Sequence, residues 1–270
     1  MDKVKVSLEE LIFSFYSEGL YEQGIQLKDT FFPELGDQEL QMMLEIASRS
    51  LMAKDMIREA DGRYKLTEEA AEFIHILSSA DYSVQFSCFS SDMEREEALS
   101  VHMKKQIGYV HELHYDQQVH TIRRLTEDET IKLISKRLSD KEMLSERAII
   151  TEMSNEDLEK ILEEASQPAQ LSSIISKWSS ELQPEDIQAF GSFMIDLSNR
   201  QSKLNTMMLL SYDKNNNPDV ADICFSIPGK QNDWIISKNQ ENRFNLERTS
   251  KVFLESFIPS PIFKVSANIS

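Results

Sequence analysis

The sequence predicts an α+β protein made of two quasi-repeated halves, each with helices, antiparallel strands and a closing helix. Three observations carry this. Segments with apolar residues every three or four positions open on capping residues. Segments of alternating apolar residues are joined by short polar turns. The order of these segments occurs twice along the chain.

Residues 7–17 form the first expected helix, with Leu8, Leu11, Ile12 and Phe15 on one face. Ser7 and Glu10 supply a capping box, which satisfies two amide donors at the helix start. A second helix is expected over residues 37–50, with Leu40, Met43, Leu44 and Ala47 inward. A turn at Asp61-Gly62 and the short run Tyr64-Lys65-Leu66 lead to Thr67, a cap for a helix whose inward face is Ala70, Phe73, Ile74 and Leu77. Residues 84–89 and 99–103 read as strands, and residues 108–115 and 118–125 as a hairpin turning at Asp116-Gln117. Thr126 and Glu129 cap the helix that closes the first half.

Residues 139–203 read as helical throughout, with stripes Leu158, Ile161, Leu162, Ala165 and Leu171, Ile174, Ile175, Trp178, and a start at Pro184. Strands return at residues 204–212, 220–227 and 234–237, with turns at Asn215-Asn216-Asn217-Pro218 and Pro228-Gly229. A closing helix is expected over residues 246–257, followed by an irregular tail from Pro259. The domain reading is therefore residues 1–142 and 143–270, packed as one unit. Within the first half, residues 1–80 are winged-helix-like and residues 82–138 hold the meander and its helix.

Charge excludes two classes of partner. The chain carries 29 basic and 46 acidic residues, a net −17, which repels nucleic acid and anionic lipid. The start lacks an apolar leader core, and the run Met207-Met208-Leu209-Leu210 is far short of the roughly 20 residues a membrane span requires. Cys88 and Cys224 read as buried thiols of a reducing compartment. The expected location is cytoplasmic, without membrane insertion.

Residues 37–77 follow the order of a winged helix-turn-helix, which makes a transcription regulator the main rival reading. Residues 1–80 contain eight basic and sixteen acidic residues, and the would-be recognition helix carries Asp37, Glu39 and Glu45 against Arg49 alone. A DNA reader needs lysine and arginine there, so the segment reads as a protein-binding or structural unit.

No constellation for catalysis, metal or cofactor is expected. His102, His111, His114 and His120 cluster in sequence. In a strand, however, His111 and His114 point to opposite faces, and His111 with His120 is a weak ligand pair. Asp213, Asn215 and Asn217 begin like a calcium loop, but Pro218 and Cys224 stand where that loop needs glycine and a bidentate glutamate. Gly229-Lys230 lacks the upstream glycines of a phosphate loop. The pairs Met42-Met43 and Met207-Met208 read first as core filler and second as adaptable binding surface.

The segment from Leu40 to Leu77, followed by Asp81-Tyr82-Ser83-Val84-Gln85-Phe86-Ser87, resembles the N-terminal region of the mycobacterial EspG family. The meander over residues 99–125, its closing helix, and the strands around Tyr212, Phe225 and Trp234 with a helix near Phe253 match that family in order. The resemblance covers most of the chain, in element order. It implies a quasi-two-fold α+β fold and a cytosolic chaperone that keeps type VII secretion substrates soluble and directs them to export. The composition is that of a distant, non-mycobacterial member, so the implied partner is a helical-hairpin protein of the WXG100 or LXG kind. A sheet face left open would serve as its seat, and the expected partner-binding residues are Tyr109, His111, Leu113, His120 and Ile122. An immunity protein that neutralises a basic toxin is a further alternative.

Overall fold

The computed structural model describes residues 1–60, 62–167, 169, 171–180, 182–214 and 216–259. In chain order the elements begin β1 (Lys3–Ser7), α1 (Leu8–Ser17), α2 (Tyr21–Phe31), α3 (Asp37–Ala53), β2 (Ile57–Ala60), β3 (Arg63–Leu66) and α4 (Glu68–His75). They continue as β4 (Tyr82–Phe89), β5 (Glu96–Lys104), β6 (Ile107–His114), β7 (Val119–Leu125), α5 (Glu127–Leu138), β8 (Ala148–Met153) and α6 (Asn155–Ala165). The last are α7 (Leu171–Trp178), α8 (Pro184–Asn199), β9 (Asn205–Tyr212), β10 (Pro218–Ile227), β11 (Trp234–Lys238), β12 (Phe244–Arg248) and α9 (Lys251–Phe257). Helices alternate with antiparallel strands, and the α+β class follows.

The chain folds as two compact units that do not follow its order. One comprises Met1–Ser83, Leu99–Glu127 and Ser211–Asp219; the other comprises Val84–Ala98, Asp128–Leu210 and Val220–Ser270. A cut at residue 142 therefore misplaces β4 and most of α5, because packing rather than succession decides where a segment belongs.

In the first unit the strand order is β1-β7-β6-β5. The α1 capping box forms as the sequence predicts: the Ser7 hydroxyl accepts the Glu10 amide at 3.2 Å, and the Glu10 carboxylate accepts the Ser7 amide at 2.7 Å. Strand β1 is an addition to the sequence reading. Its alternation Lys3-Val4-Lys5-Val6 buries the valines and pairs Val4 with Ile122 and Val6 with His120. Helix α2 is a second addition. It buries only Gly24, so it has no apolar stripe to announce it. A side chain at Gly24 would press on the Tyr16 ring, and the missing Cβ lets α2 approach α1. The core joins Leu11 and Phe15 of α1, Phe73 and Ile74 of α4, Val4 and Val6 of β1, and Tyr109 and Ile122 of the sheet. Strands β2 and β3 form a separate antiparallel pair, with Ile57 opposite Leu66.

In the second unit the order is β4-β9-β10-β11-β12-β8. The uninterrupted helical reading of residues 139–203 is corrected by β8, whose β-branched run Ile149-Ile150-Thr151 pairs antiparallel with β12. The closing helix is also shorter than expected. Leu246 to Arg248 belong to β12, and α9 starts only after Ser250, whose hydroxyl accepts the Phe253 amide at 3.1 Å. Ser154 caps α6 with Asp157, and Pro184 opens α8 as read from sequence. The core is a run of rings, Trp178 on Phe190 at 5.4 Å, Phe190 to Phe193 at 6.0 Å and Phe193 edge-on to Trp234 at 6.0 Å. Each such contact contributes about 0.5–1.5 kcal/mol beyond area burial.

Gly229, which the sequence excludes from phosphate binding, has a packing role. An added methyl there would overlap the Asp196 carboxylate and the Asn232 carbonyl. That carboxylate cannot move freely, because it accepts the Trp234 indole N–H at 2.9 Å and the Lys230 amide at 3.0 Å. Gly229→Ala is therefore expected to destabilise by about 1–3 kcal/mol, read as a lower urea midpoint at unchanged slope.

Both cysteines are free; Cys224 is buried, Cys88 half-buried, and burial raises both thiol pKa values. Asp213 accepts the Asn217 amide at 2.8 Å, as an Asn-rich turn should. The expectations placed on Asp61, Asn215 and residues 260–270 lie outside the described residues. No helix among the described residues is long and apolar enough to cross a membrane.

Candidate protein-binding surface

Helix α3 carries more apolar residues than its packing can bury. It opens at Gly36, whose amide donates to the Glu39 carboxylate at 2.9 Å, and continues for 17 residues. Ala47, Ser48 and Leu51 are buried, and Leu40, Met43 and Leu44 are half-buried. Met42 and Ile46 lie four apart, on one face, and are 61% and 57% exposed. Unpaired large apolar side chains at helical spacing on a surface are a mark of interaction.

A groove flanks α3 on each side. One, about 470 Å³, is lined by Met42, Met43, Ile46 and Ala47 with Ser7, Glu9 and Glu10 from the start of α1. The other, about 400 Å³, is lined by Leu40, Leu44, Phe13 and Tyr64, with Asp37 and Glu45 at its rim. Neither lining contains a lysine or arginine. Arg49 pairs with Glu45 at 3.7 Å and Lys54 with the buried Glu10 at 2.6 Å. Burial alone would raise the Glu10 carboxyl, but hydrogen bonds from Lys54, Ser50 and the Ser7 amide together take it below its ordinary value. Glu9, Asp37 and Glu39 form no ion pair among the described residues, so the rim is acidic.

The residues expected to bind a partner lie elsewhere in the same unit. Strand register places Tyr109, His111 and Leu113 opposite Arg124, Ile122 and His120, so all five share one face, as the predicted hairpin requires. That face is largely covered. Tyr109, His120 and Ile122 are 3%, 3% and 0% exposed, Tyr109 and Ile122 in one core with residues of α1 and α4, while His111 and Leu113 are half-buried. Tyr109 meets Phe73 edge-on at 5.8 Å and donates to Glu72 of α4. Two helices packed in sequence-distant contact supply this cover, and hairpin periodicity has no means of showing them.

The same face holds an array the sequence does not assemble. His102 joins His111 and His120 diagonally across β5, β6 and β7, with ring centroids 6.1 Å and 5.2 Å apart. His102 sits between the Ser83 and Ser100 hydroxyls at 2.8 and 2.9 Å, and His111 bonds His120 at 2.9 Å. Burial depresses all three, His102 and His120 to about 4 and His111 well below its ordinary value. These are neutral packing groups at neutral pH. His114 lies on the opposite strand face and is exposed.

A further concavity of about 480 Å³ in the second unit is lined by Cys88, Phe89, Lys136, Arg137, Lys141, Asn205 and Asp233, among others. Two of its cations are paired internally, Arg137 with Glu97 at 3.7 Å and Lys141 with Asp233. Among the described residues, no three histidine, cysteine, aspartate or glutamate side chains gather as a metal-ligand set.

The family described as "Uncharacterised protein YfjC" matches residues 3–258. "Uncharacterized protein YfjC" of Bacillus subtilis (strain 168) is 39% identical over 252 residues, covering 91% of this chain and 94% of that protein. The chain belongs to the YfjC family. Its fold is that of the Mycobacterium tuberculosis type VII secretion system chaperone EspG5, solved in complex with the PE25-PPE41 dimer; 93% of this chain superimposes on 92% of that one, with a TM-score of 0.50 and 10% identity. The EspG-like resemblance read from element order is thus a likeness of fold. Within the YfjC family, the α3 surface is what the sequence reading passed over. Met42 and Met43 read together first as core filler and second as adaptable binding surface, and the two part company, one exposed and one half-buried. The available signal was the surplus pair Met42 and Ile46, four apart and off the inward stripe.

Proposed function

We propose that this protein is a non-catalytic, cytoplasmic chaperone or adaptor. It keeps a type VII-like secretion substrate, a helical-hairpin protein of the WXG100 or LXG kind, soluble and delivers it for export. The observation that carries the reading is the exposed Met42–Ile46 ridge with an apolar groove on either side and an acidic rim. The fold it shares with EspG5, a chaperone solved in complex with the PE25-PPE41 dimer, supports the same reading. So does the contrast with a DNA reader: where a winged helix would present lysine and arginine to phosphate, α3 presents Met42 and Ile46.

Co-expression with the small helical secretion proteins encoded near its gene tests this. At least one is expected to copurify with the protein and to remain in the soluble fraction only in its presence. If each behaves the same with and without it, the proposal fails.

A further inference from the structure

We infer that the α3 surface receives an amphipathic helix whose apolar stripe is flanked by lysine or arginine. This deepens the proposed function by naming the chemistry of the segment that is held. The floor of each groove is apolar, with Met42 and Met43 in one and Phe13, Leu40 and Leu44 in the other, which suits a helix face with residues at i, i+3, i+4 and i+7. Helix α3 is 17 residues long, about 25 Å at 1.5 Å per residue, so a partner helix of four turns or more can lie along it. The rim selects the sign of the flanks. Glu9 and Glu39 border one groove and Asp37 the other, none of them in an ion pair among the described residues. Lys54 and Arg49 are turned onto Glu10 and Glu45, and Lys28, whose charge Asp37 also feels, is paired with Asp29 at 2.7 Å. An acidic helix would meet uncompensated like charge, whereas a basic-flanked one supplies the missing partners.

The test uses the full-length protein and two labelled helical peptides with the same leucine stripe, one flanked by lysines and one by glutamates. The lysine-flanked peptide should bind at least ten-fold tighter at 50 mM salt, with the preference shrinking toward 500 mM. Met42→Asp and Ile46→Asp should each weaken it ten-fold or more at unchanged melting temperature. Val252→Asp, at an exposed apolar position on α9, should leave binding unchanged. Equal or reversed peptide preference, or indifference to the two α3 variants, overturns the inference. So does a self-associated protein that Ile46→Asp converts to monomer, because a second copy would then occupy the face. If a secretion protein copurifies equally with wild type and Ile46→Asp, the proposed function stands and this inference falls. Peptide selectivity without any copurifying protein sinks the proposed function and leaves the surface assigned.

Discussion

Arg147→Ala is expected to lower the free energy of unfolding by about 3–5 kcal/mol. The Glu247 carboxylate on β12 is fully buried and held by a two-pronged contact, Nε to Oε2 and Nη2 to Oε1, each 2.7 Å. Its other partner is the Ser237 hydroxyl at 3.3 Å. Without the guanidinium, a buried charge keeps one weak donor. Arg147 also sits over the Phe253 ring at 5.8 Å, so its loss loosens the packing of α9 on the sheet. The reverse change should cost less. The Arg147 side chain is 36% exposed and can turn to water, so Glu247→Gln should cost about 1–3 kcal/mol. Urea unfolding of both variants checks the asymmetry. A loss under 1 kcal/mol for Arg147→Ala, or a larger loss for Glu247→Gln, would show that the pair is not held as described.

Acidification from pH 7.5 to pH 5 should destabilise the protein through its buried histidines by about 2 kcal/mol for each of His102 and His120. Both have folded pKa values depressed from 6.5 to about 4, mainly by burial. The unfolded chain therefore binds protons first. Stability is fully present above the unfolded value and is lost as pH falls from about 6.5 toward about 4. His111 adds in the same direction. Carboxylates with lowered pKa, such as Glu10 and Asp157, are still ionised at pH 5 in both states and contribute only further down. His102→Gln offers both serine hydroxyls a partner without titrating. It should remove about a third of the pH dependence, because His111 and His120 remain, while lowering stability at pH 7.5 only modestly. Unfolding curves at the two pH values, with histidine ring proton shifts followed between them, measure this. Constant stability across the window, or rings that titrate near 6.5, would refute the neutral array.

Much of the fold is legible locally because its signals are short-range. Ser7 with Glu10, Thr67, and Ser154 with Asp157 each satisfy amide donors within three residues of themselves, Pro184 has no amide donor to satisfy, and each marks a helix start where the structure has one. The hairpin of β6 and β7 follows from alternation and a polar turn. Failures occur where local pattern is silent or ambiguous. Residues 148–153 are too few to separate a buried strand from a helix by period, and only the partner β12 decides. Leu246 belongs to an apolar run that could continue into α9, until pairing with β11 claims it. Helix α2 has no clear stripe, because it buries only Gly24 fully and sets Leu27 half-buried against the core.

By itself, the sequence of 270 residues determined the α+β class, most caps and turns, and the net charge of −17. Each is set by residues within a few positions of one another or by a sum over the chain. Tertiary structure alone decided which apolar residues are spare. Tyr109 and Ile122 read as open and lie under α1 and α4, while Met42 reads first as core and stands in solvent. Burial depends on what a distant segment brings to the same place, and period along one element carries no record of that.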